Sequence, residues 1–174
     1  MPRPQDEIDM ENNSDNKDYV IEQVSKKGAL LEFASEKLRN DKEVVLKAIE
    51  NNPESLEFAS DELKADRDVV YASVSKVGWT YCYAKEELLP DKELLIAGLK
   101  CTGQILYFAN PELRDDKDVV MEAVKNKGII VKYASKRLKN DLDIGIAAMT
   151  QSKKCYDFLG EDIKNNEKIL QLLN

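Results

Sequence analysis

The chain has 174 residues, of which 43% are hydrophobic and 34% charged, with a net charge of −7 and no histidine. This hydrophobic content is enough for a folded core, and the negative charge argues against non-specific binding to nucleic acid or anionic membranes, which attract positive charge. The lack of histidine excludes Ser–His and Cys–His nucleophiles. We therefore expect a folded protein that is not an enzyme and binds neither nucleic acid nor membrane.

The first fifteen residues are polar, and we expect residues 1–15 to form a flexible arm. They lack the apolar segment of a secretory signal peptide, and no later stretch contains the 18 apolar residues typical of a membrane-spanning helix. Cys82, Cys101 and Cys155 are odd in number and stand at unrelated positions, so no disulfide framework is implied. We expect a cytoplasmic protein, with export by an unrecognised route as the alternative.

Residues 16–174 form one short repeat copied without insertion, which we interpret as a single domain. An aspartate recurs every 25 residues and is followed two residues later by an acid and then by apolar residues. These aspartates are Asp41, Asp66, Asp91, Asp116 and Asp141. Repetition at a fixed short period is typical of stacked-repeat proteins.

The first half of each repeat predicts an α-helix, which we call helix A. In the second repeat Asp41 precedes two pairs of apolar residues spaced four apart, Val44 with Ala48 and Val45 with Ile49, which form one apolar stripe. Asp41 is in the N-cap position, where a carboxylate accepts hydrogen bonds from free backbone N–H groups. The pattern places helices A near residues 17, 42, 67, 92, 117, 142 and 167.

The second half of each repeat predicts a second helix, helix B, starting near residues 29, 54, 79, 104, 129 and 154. In the second repeat it covers residues 54–63, with Leu56, Ala59 and Leu63 facing inward. A glycine or proline stands between helices A and B in most repeats, and we expect it to stop helix A at a tight corner. Pro111, inside the helix B pattern, indicates that this element is short and partly 3₁₀.

A hairpin of two short helices cannot bury its own apolar stripe, so neighbouring hairpins must stack. The sequence therefore predicts an all-α, right-handed α-solenoid of about six 25-residue helix-turn-helix repeats plus a final helix. The sixth repeat departs from the pattern, because Lys153 replaces the corner glycine, Leu159 replaces a small alanine, and Gly160 falls inside helix B. We interpret it as a cap on the array, with a longer array as the alternative.

The recurring pattern can be written L-x-F-A-S-x-x-L-R-x-D-K-x-V-V and is best carried by residues 31–45, 56–70, 106–120 and 131–144. It resembles an uncharacterised family of 25-residue helical-hairpin repeats, known only as a domain of unknown function, over residues 16–170. The resemblance implies a helical scaffold. It implies no catalytic residue.

No catalytic, cofactor-binding or metal-binding residue is predicted. The cysteines form no C-x-x-C pair and the glycines no phosphate-binding loop. The acidic turns, such as residues 114–118, lack the spacing of an EF-hand, and a basic residue stands beside each acid. We interpret these acids as helix caps.

Comparison of the repeats identifies candidate binding residues on helix B. At two positions three residues apart the outer repeats hold charged side chains, whereas the middle repeats contribute Trp79, Cys82, Tyr107 and Ile129. This predicts an apolar patch rimmed by Glu54, Glu57 and Lys132. The candidate protein-binding residues are Trp79, Cys82, Tyr107, Ile129, Glu54 and Glu57. A rimmed aromatic patch is typical of a protein interface. The alternative for Trp79 is packing beside Val77 as additional core.

Four other tyrosines replace Leu, Ile or Phe of sibling repeats and are predicted to lie in the core: Tyr71, Tyr81, Tyr83 and Tyr133.

Two functions fit these features. The first is a non-catalytic scaffold that binds a protein or peptide through the patch. The alternative is an acidic stoichiometric inhibitor, resembling an immunity or effector protein, that covers a basic target with Glu54, Glu57, Asp61 and Glu62. We expect a monomer, with end-to-end pairing through leucines of the last helix as the alternative.

Overall fold

A computed structural model describes residues 4–173, which contain helices and no strand. The α-helices are α1 Gln5–Asn12, α2 Lys17–Lys26, α3 Glu36–Arg39, α4 Lys42–Asn51, α5 Asp61–Lys64, α6 Arg67–Val74, α7 Lys92–Cys101, α8 Pro111–Arg114, α9 Lys117–Asn126, α10 Lys136–Lys139, α11 Leu142–Gln151, α12 Glu161–Lys164 and α13 Glu167–Leu173. The 3₁₀-helices are η1 Gly28–Phe33, η2 Pro53–Phe58, η3 Gly78–Tyr83, η4 Glu86–Leu88, η5 Gly103–Phe108, η6 Gly128–Tyr133 and η7 Lys153–Phe158. The protein is an all-α helical-repeat solenoid, as predicted.

The chain divides into two compact units, an N-terminal unit that ends at Leu88 and a C-terminal unit that begins at Leu89. The first contains three repeats, and the second contains three repeats and the final helix. The single domain expected over residues 16–174 stays a prediction.

The long helices begin where the sequence predicts, each directly after its capping residue. Before α4, the carboxylate of Asp41 accepts hydrogen bonds from the backbone N–H groups of Glu43 and Val44 at 3.0 and 3.3 Å. The predicted cap is confirmed at all five aspartates. The apolar stripe of α4 is buried, and burial of each valine or isoleucine side chain contributes about 1.5–3 kcal/mol.

The prediction that helix B is one α-helix is wrong. In the second repeat η2 ends before Ala59, whose backbone is extended at φ −64° and ψ 158°, and the single-turn helix α5 follows. Ser60 separates the two elements: its backbone N–H donates to the carbonyl of Arg39 in the preceding repeat at 2.9 Å, and its hydroxyl accepts from the N–H of Leu63 at 3.2 Å. Each repeat therefore contains a long α-helix followed by a 3₁₀-helix. In most repeats a one-turn α-helix follows the 3₁₀-helix.

The same break recurs in the C-terminal unit. The backbone N–H of Ser135 donates to the carbonyl of Arg114 at 2.9 Å, and its hydroxyl caps α10. Pro111 is the first residue of α8. The N–H of a residue at this position has no acceptor within the helix, so proline removes no hydrogen bond there. The predicted short and partly 3₁₀ character is confirmed there, because η5 precedes α8.

The corner glycines have a different role from the one predicted. No residue within 4–173 has a positive φ, so these glycines do not end the helices through a left-handed conformation. Gly128 is instead buried against the next repeat, where an added Cβ would lie 2.7 Å from the carbonyl oxygen of Ala148. Glycine at this corner permits close stacking of successive repeats.

The expectation of a flexible arm is wrong for Gln5–Asn12, which form α1. Met10 is fully buried, α1 packs against η1, and Asp6 forms a 2.7 Å ion pair with Lys27. The sequence prediction failed because α1 contains few apolar residues, of which only Met10 is buried. The first three residues of the predicted arm lie outside the described residues.

Within each unit, the first lysine of one long helix pairs with the aspartate that caps the next long helix. In the N-terminal unit the ammonium group of Lys17 lies 2.7 Å from the carboxylate of Asp41, and that of Lys42 lies 2.7 Å from Asp66. In the C-terminal unit Lys92 and Lys117 pair with the corresponding aspartates at 2.8 and 2.9 Å. Solvent screens these half-exposed ion pairs, so each one contributes little to stability. Because they repeat, they favour one register of stacking.

Two further details differ from the sequence interpretation. Gly160 is not inside a helix, because it is the extended residue immediately before α12. Tyr81 is fully buried as predicted, whereas Tyr71 is 44% exposed and so is not a core residue.

Candidate protein-binding surfaces

The six candidate residues lie on 3₁₀-helices and divide between the two units. Glu54 and Glu57 lie on η2 and Trp79 and Cys82 on η3 of the N-terminal unit, whereas Tyr107 lies on η5 and Ile129 on η6 of the C-terminal unit. Residues three apart in a 3₁₀-helix are aligned along the axis. The shared face predicted for an α-helix therefore also holds for the observed 3₁₀-helix. That all six residues form one binding patch stays a prediction.

In the N-terminal unit the aromatic centre is a pair of rings, Trp79 and Tyr83. Trp79 is 39% exposed, so the alternative that it is a core residue is wrong. Its ring lies edge-to-face with that of Tyr83, with centroids 5.4 Å apart and an interplanar angle of 62°. The hydroxyl of Tyr83 donates to the carboxylate of Glu57 at 2.9 Å. We call Trp79, Tyr83, Cys82, Glu54 and Glu57 the Trp79 surface.

The surroundings raise the pKa values of two groups of the Trp79 surface. Burial and the hydrogen bond to Glu57 raise the pKa of the Tyr83 phenol well above its usual range. Burial also raises the pKa of the Cys82 thiol, although the residue as a whole is exposed. Both groups therefore hold their protons at neutral pH, and Cys82 is not an activated nucleophile.

In the C-terminal unit three aromatic rings line a groove of about 380 Å³. The Tyr107 ring lies edge-to-face with those of Phe108 and Tyr133, with centroids 5.2 Å apart in both pairs. Tyr107 is 58% exposed and Phe108 53% exposed. We call this the Tyr107 groove, whose lining residues are Gln104, Tyr107, Phe108, Lys127, Ile129, Ile130, Lys132 and Tyr133.

The charged residues that line the Tyr107 groove are both basic. The ammonium group of Lys132 lies 4.7 Å from the centroid of the Tyr133 ring, within cation–π distance. Lys127 is the residue immediately before η6, and no aspartate or glutamate is part of the lining. The groove therefore combines an aromatic surface with positive charge.

Sequence reasoning missed Phe108 as a surface residue. An aromatic residue stands at this position in every repeat, a pattern that resembles core: Phe33, Phe58, Tyr83, Phe108, Tyr133 and Phe158. None of the six is buried. The exposure of this position follows from the 3₁₀ geometry. The inward positions of a 3₁₀-helix recur every three residues, so the aromatic position beside them lies at the edge of the buried face.

The acidic residues of the alternative function all lie in the N-terminal unit and are exposed. Asp61 pairs with Lys85 at 2.6 Å, while Glu57 accepts the hydrogen bond from Tyr83. Residues 1–88 contain 12 basic and 20 acidic side chains, a net charge of −8, and residues 89–174 contain 14 and 13, a net charge of +1. The negative charge of the chain is therefore concentrated in the N-terminal unit.

A mixed-charge depression lies between the short helices of the same unit. It has a volume of about 560 Å³, and Glu57, Asp61 and Glu62 line it together with Lys37 and Arg39. The acids there are partly compensated, so the depression itself is not a uniformly negative surface.

Within residues 4–173 no group of three or more Cys, Asp or Glu side chains is arranged to hold a metal ion. In the same part of the chain no helix has the length and apolar character needed to cross a membrane.

Stacked repeats of short helices, with exposed aromatic residues on their 3₁₀-helices, define an all-α helical-repeat protein. The family model described as Domain of unknown function (DUF4116) matches residues 16–64, 41–89, 91–138 and 124–164, so the chain belongs to this family. No curated protein and no solved structure matches the chain.

Proposed function

We propose that the protein is a non-catalytic helical-repeat scaffold that binds a protein or peptide through the Trp79 surface and the Tyr107 groove. The observation that carries this proposal is the exposure of Tyr107 and Phe108, which lie side by side and are each more than half accessible. Aromatic side chains of this kind bury a large area when a partner covers them, and they dominate the energy of many interfaces.

The elements that carry these rings support binding by a preformed surface. The residues Ile105 and Leu106 of η5 are buried, so the backbone that presents Tyr107 is fixed by the core. A surface that is already ordered loses little conformational entropy when it binds. Exposed aromatic residues on a fixed scaffold can therefore supply net affinity.

The test is a pull-down from a lysate of the source organism with wild type, Trp79→Ala, Tyr107→Ala and the double variant, at low and high salt. We expect the double variant to lose a partner that wild type retains in high salt, because truncation of a hot-spot residue costs about 2 kcal/mol or more. Tyr71→Ala is the matched control, since Tyr71 is an exposed tyrosine outside both surfaces.

Helicity measured by circular dichroism must be unchanged in every variant. Equal capture by wild type and the double variant would refute the aromatic surfaces as the binding site.

The second candidate is an acidic stoichiometric inhibitor, resembling an immunity or effector protein, that covers a basic target surface. The net charge of −8 in residues 1–88 favours it. This function predicts a partner that is lost with added salt and with Glu54→Lys/Glu62→Lys, but is retained by Trp79→Ala. Retention of the partner by the charge-reversed variant in the same pull-down rules it out.

The proposal also includes a monomeric protein in a reducing, cytoplasmic environment. The reducing environment is supported by three cysteines that form no disulfide within the described residues. Sedimentation of the purified chain tests the monomer directly.

A further inference from the structure

The Tyr107 groove carries two uncompensated positive charges. Lys127 and Lys132 form no ion pair within the described residues, whereas Lys92 and Lys117 of the same unit each bridge two acids. The groove lining contains no acid that could offset them. Their charge is therefore available to a ligand.

We propose that the Tyr107 groove binds an acidic peptide segment with an apolar anchor. An aliphatic or aromatic side chain of the peptide enters between Tyr107, Ile129 and Tyr133, and carboxylates beside it pair with Lys127 and Lys132. This inference rests on the proposed scaffold function and names the chemistry of its ligand.

The size of the groove favours a short segment. Its volume of about 380 Å³ lies near the lower end of the range for small-ligand sites, about 300–1,000 Å³. Such a space accepts one or two side chains of an extended peptide. The rest of the peptide lies over the rim, where the lysines are.

The two parts of the ligand have separate physical reasons. An apolar anchor removes the exposed faces of Tyr107 and Phe108 from water, which favours binding in proportion to the apolar area covered. A carboxylate near Lys132 forms a charge-assisted contact without competition from a protein acid. A basic peptide meets like charge at both lysines, so the groove discriminates against it.

The experiment is a selection of peptides from a displayed random library on the full chain. The selection is repeated on Lys127→Glu/Lys132→Glu, Tyr107→Ala, Trp79→Ala and Lys100→Glu/Lys168→Glu. Lys100 on α7 and Lys168 on α13 are exposed lysines outside the groove, so their double reversal changes the net charge by the same amount as the groove variant. Affinities of the enriched peptides are then measured by fluorescence polarisation.

We expect wild type to enrich peptides in which Asp or Glu flanks Leu, Ile, Phe or Trp. Their affinity should fall at least about tenfold in Tyr107→Ala and in Lys127→Glu/Lys132→Glu, and should be unchanged in Lys100→Glu/Lys168→Glu. The doubly reversed variant should select basic peptides instead. Circular dichroism checks the fold, and the milder Lys127→Gln/Lys132→Gln should lose affinity without selecting basic peptides.

Enrichment of basic or uncharged peptides, or no enrichment above the Tyr107→Ala background, would overturn the proposal. So would self-association of the chain in sedimentation that the lysine reversal abolishes, because the groove would then bind a second copy. Peptides lost from Trp79→Ala but retained by Tyr107→Ala would refute an acidic-peptide groove and leave the scaffold function standing.

Discussion

At the scale of one residue, Gly128 shows how tightly successive repeats approach each other. A Cβ added there would lie 2.7 Å from both the carbonyl oxygen of Ala148 and the Cβ of Gln151, and 3.2 Å from the sulfur of Cys155. The carbonyl belongs to the backbone of α11 and cannot turn away as a flexible side chain could. The helix itself must shift to admit one methyl group.

We predict that Gly128→Ala lowers the free energy of unfolding by about 1–3 kcal/mol, the usual effect of overpacking. Urea denaturation followed by circular dichroism measures the change. Lys125→Ala, at an exposed position of α9, is the control and should remain within about 0.5 kcal/mol of wild type. A Gly128→Ala protein as stable as wild type would show that the corner has room for a side chain.

At the scale of one element, the first turn of five long helices is capped by an aspartate. Asp116 accepts hydrogen bonds from the N–H groups of Asp118 and Val119, and from the ammonium group of Lys92. Burial opposes ionisation, but the hydrogen bonds from Lys92 and Val119 outweigh it and hold the pKa of Asp116 below its usual value. Ionisation of this residue is therefore coupled to folding.

Because the folded-state pKa is depressed, the stabilisation is complete above the unfolded pKa, about 4, and is lost as pH falls through the folded pKa. We predict that wild type exceeds Asp116→Asn in stability at pH 7 and loses that advantage as the pH falls below the unfolded pKa and through the lower folded-state pKa. Asp116→Ala also loses the cap and should be less stable by about 0.5–2 kcal/mol. Urea midpoints across this pH range test both statements.

Glu112→Gln is the control for the pH series, since Glu112 is an exposed acid with no ion pair within residues 4–173. A gap between wild type and Asp116→Asn that does not narrow as the pH falls below about 4 would contradict the assignment.

The short helix of the third repeat lacks a side-chain cap and is not α-helical. Lys85 stands where Ser35, Ser60 and Ser135 cap their helices, and the element that follows is the 3₁₀-helix η4 instead of an α-helical turn. The inter-repeat hydrogen bond from the backbone N–H of Lys85 to Lys64 is still present at 3.0 Å. The third repeat therefore lacks the side-chain cap but keeps the contact between repeats. The cap is not required in every repeat, because α12 forms after Gly160 without one.

We predict that Lys85→Ser is more stable than Lys85→Ala by about 1 kcal/mol, because serine can accept a hydrogen bond from the N–H of Leu88. Both variants remove the ion pair with Asp61, so their difference isolates the cap. Thermal and urea unfolding of the two proteins measure it. Equal stability would mean that the backbone of the third repeat, and not Lys85, prevents the α-helical turn.

The elements differ in how far the sequence could predict them. Helix A was predictable because its cap and its i, i+4 stripe lie within ten residues of each other. The break in helix B was not, because Ser60 is held by a carbonyl of the preceding repeat, a tertiary contact without a local signal. Exposure at positions 79, 82 and 107 could be predicted because the i, i+3 face is shared by α- and 3₁₀-helices. The exposure of Phe108 could not be predicted, because an aromatic residue stands at the same position in every repeat and this pattern resembles a core position.

At the scale of the whole molecule, the three cysteines report on the fold of both compact units. Cys82 is exposed in the N-terminal unit, whereas Cys101 is exposed and Cys155 is fully buried in the C-terminal unit. Burial raises the pKa of Cys155, which lowers the fraction of reactive thiolate further. Thiol reactivity therefore distinguishes the native stack from an open one.

We predict that two thiols of the native chain react with a chromogenic disulfide reagent at pH 8 and that the third reacts only when urea unfolds the protein. Cys82→Ser and Cys101→Ser should each remove one native thiol, and Cys155→Ala should remove only the one exposed by urea. The rate of the slow thiol then measures opening of the C-terminal unit, because the sulfur lies against the corner at Gly128. Reaction of all three thiols without denaturant would contradict the burial of Cys155 on η7.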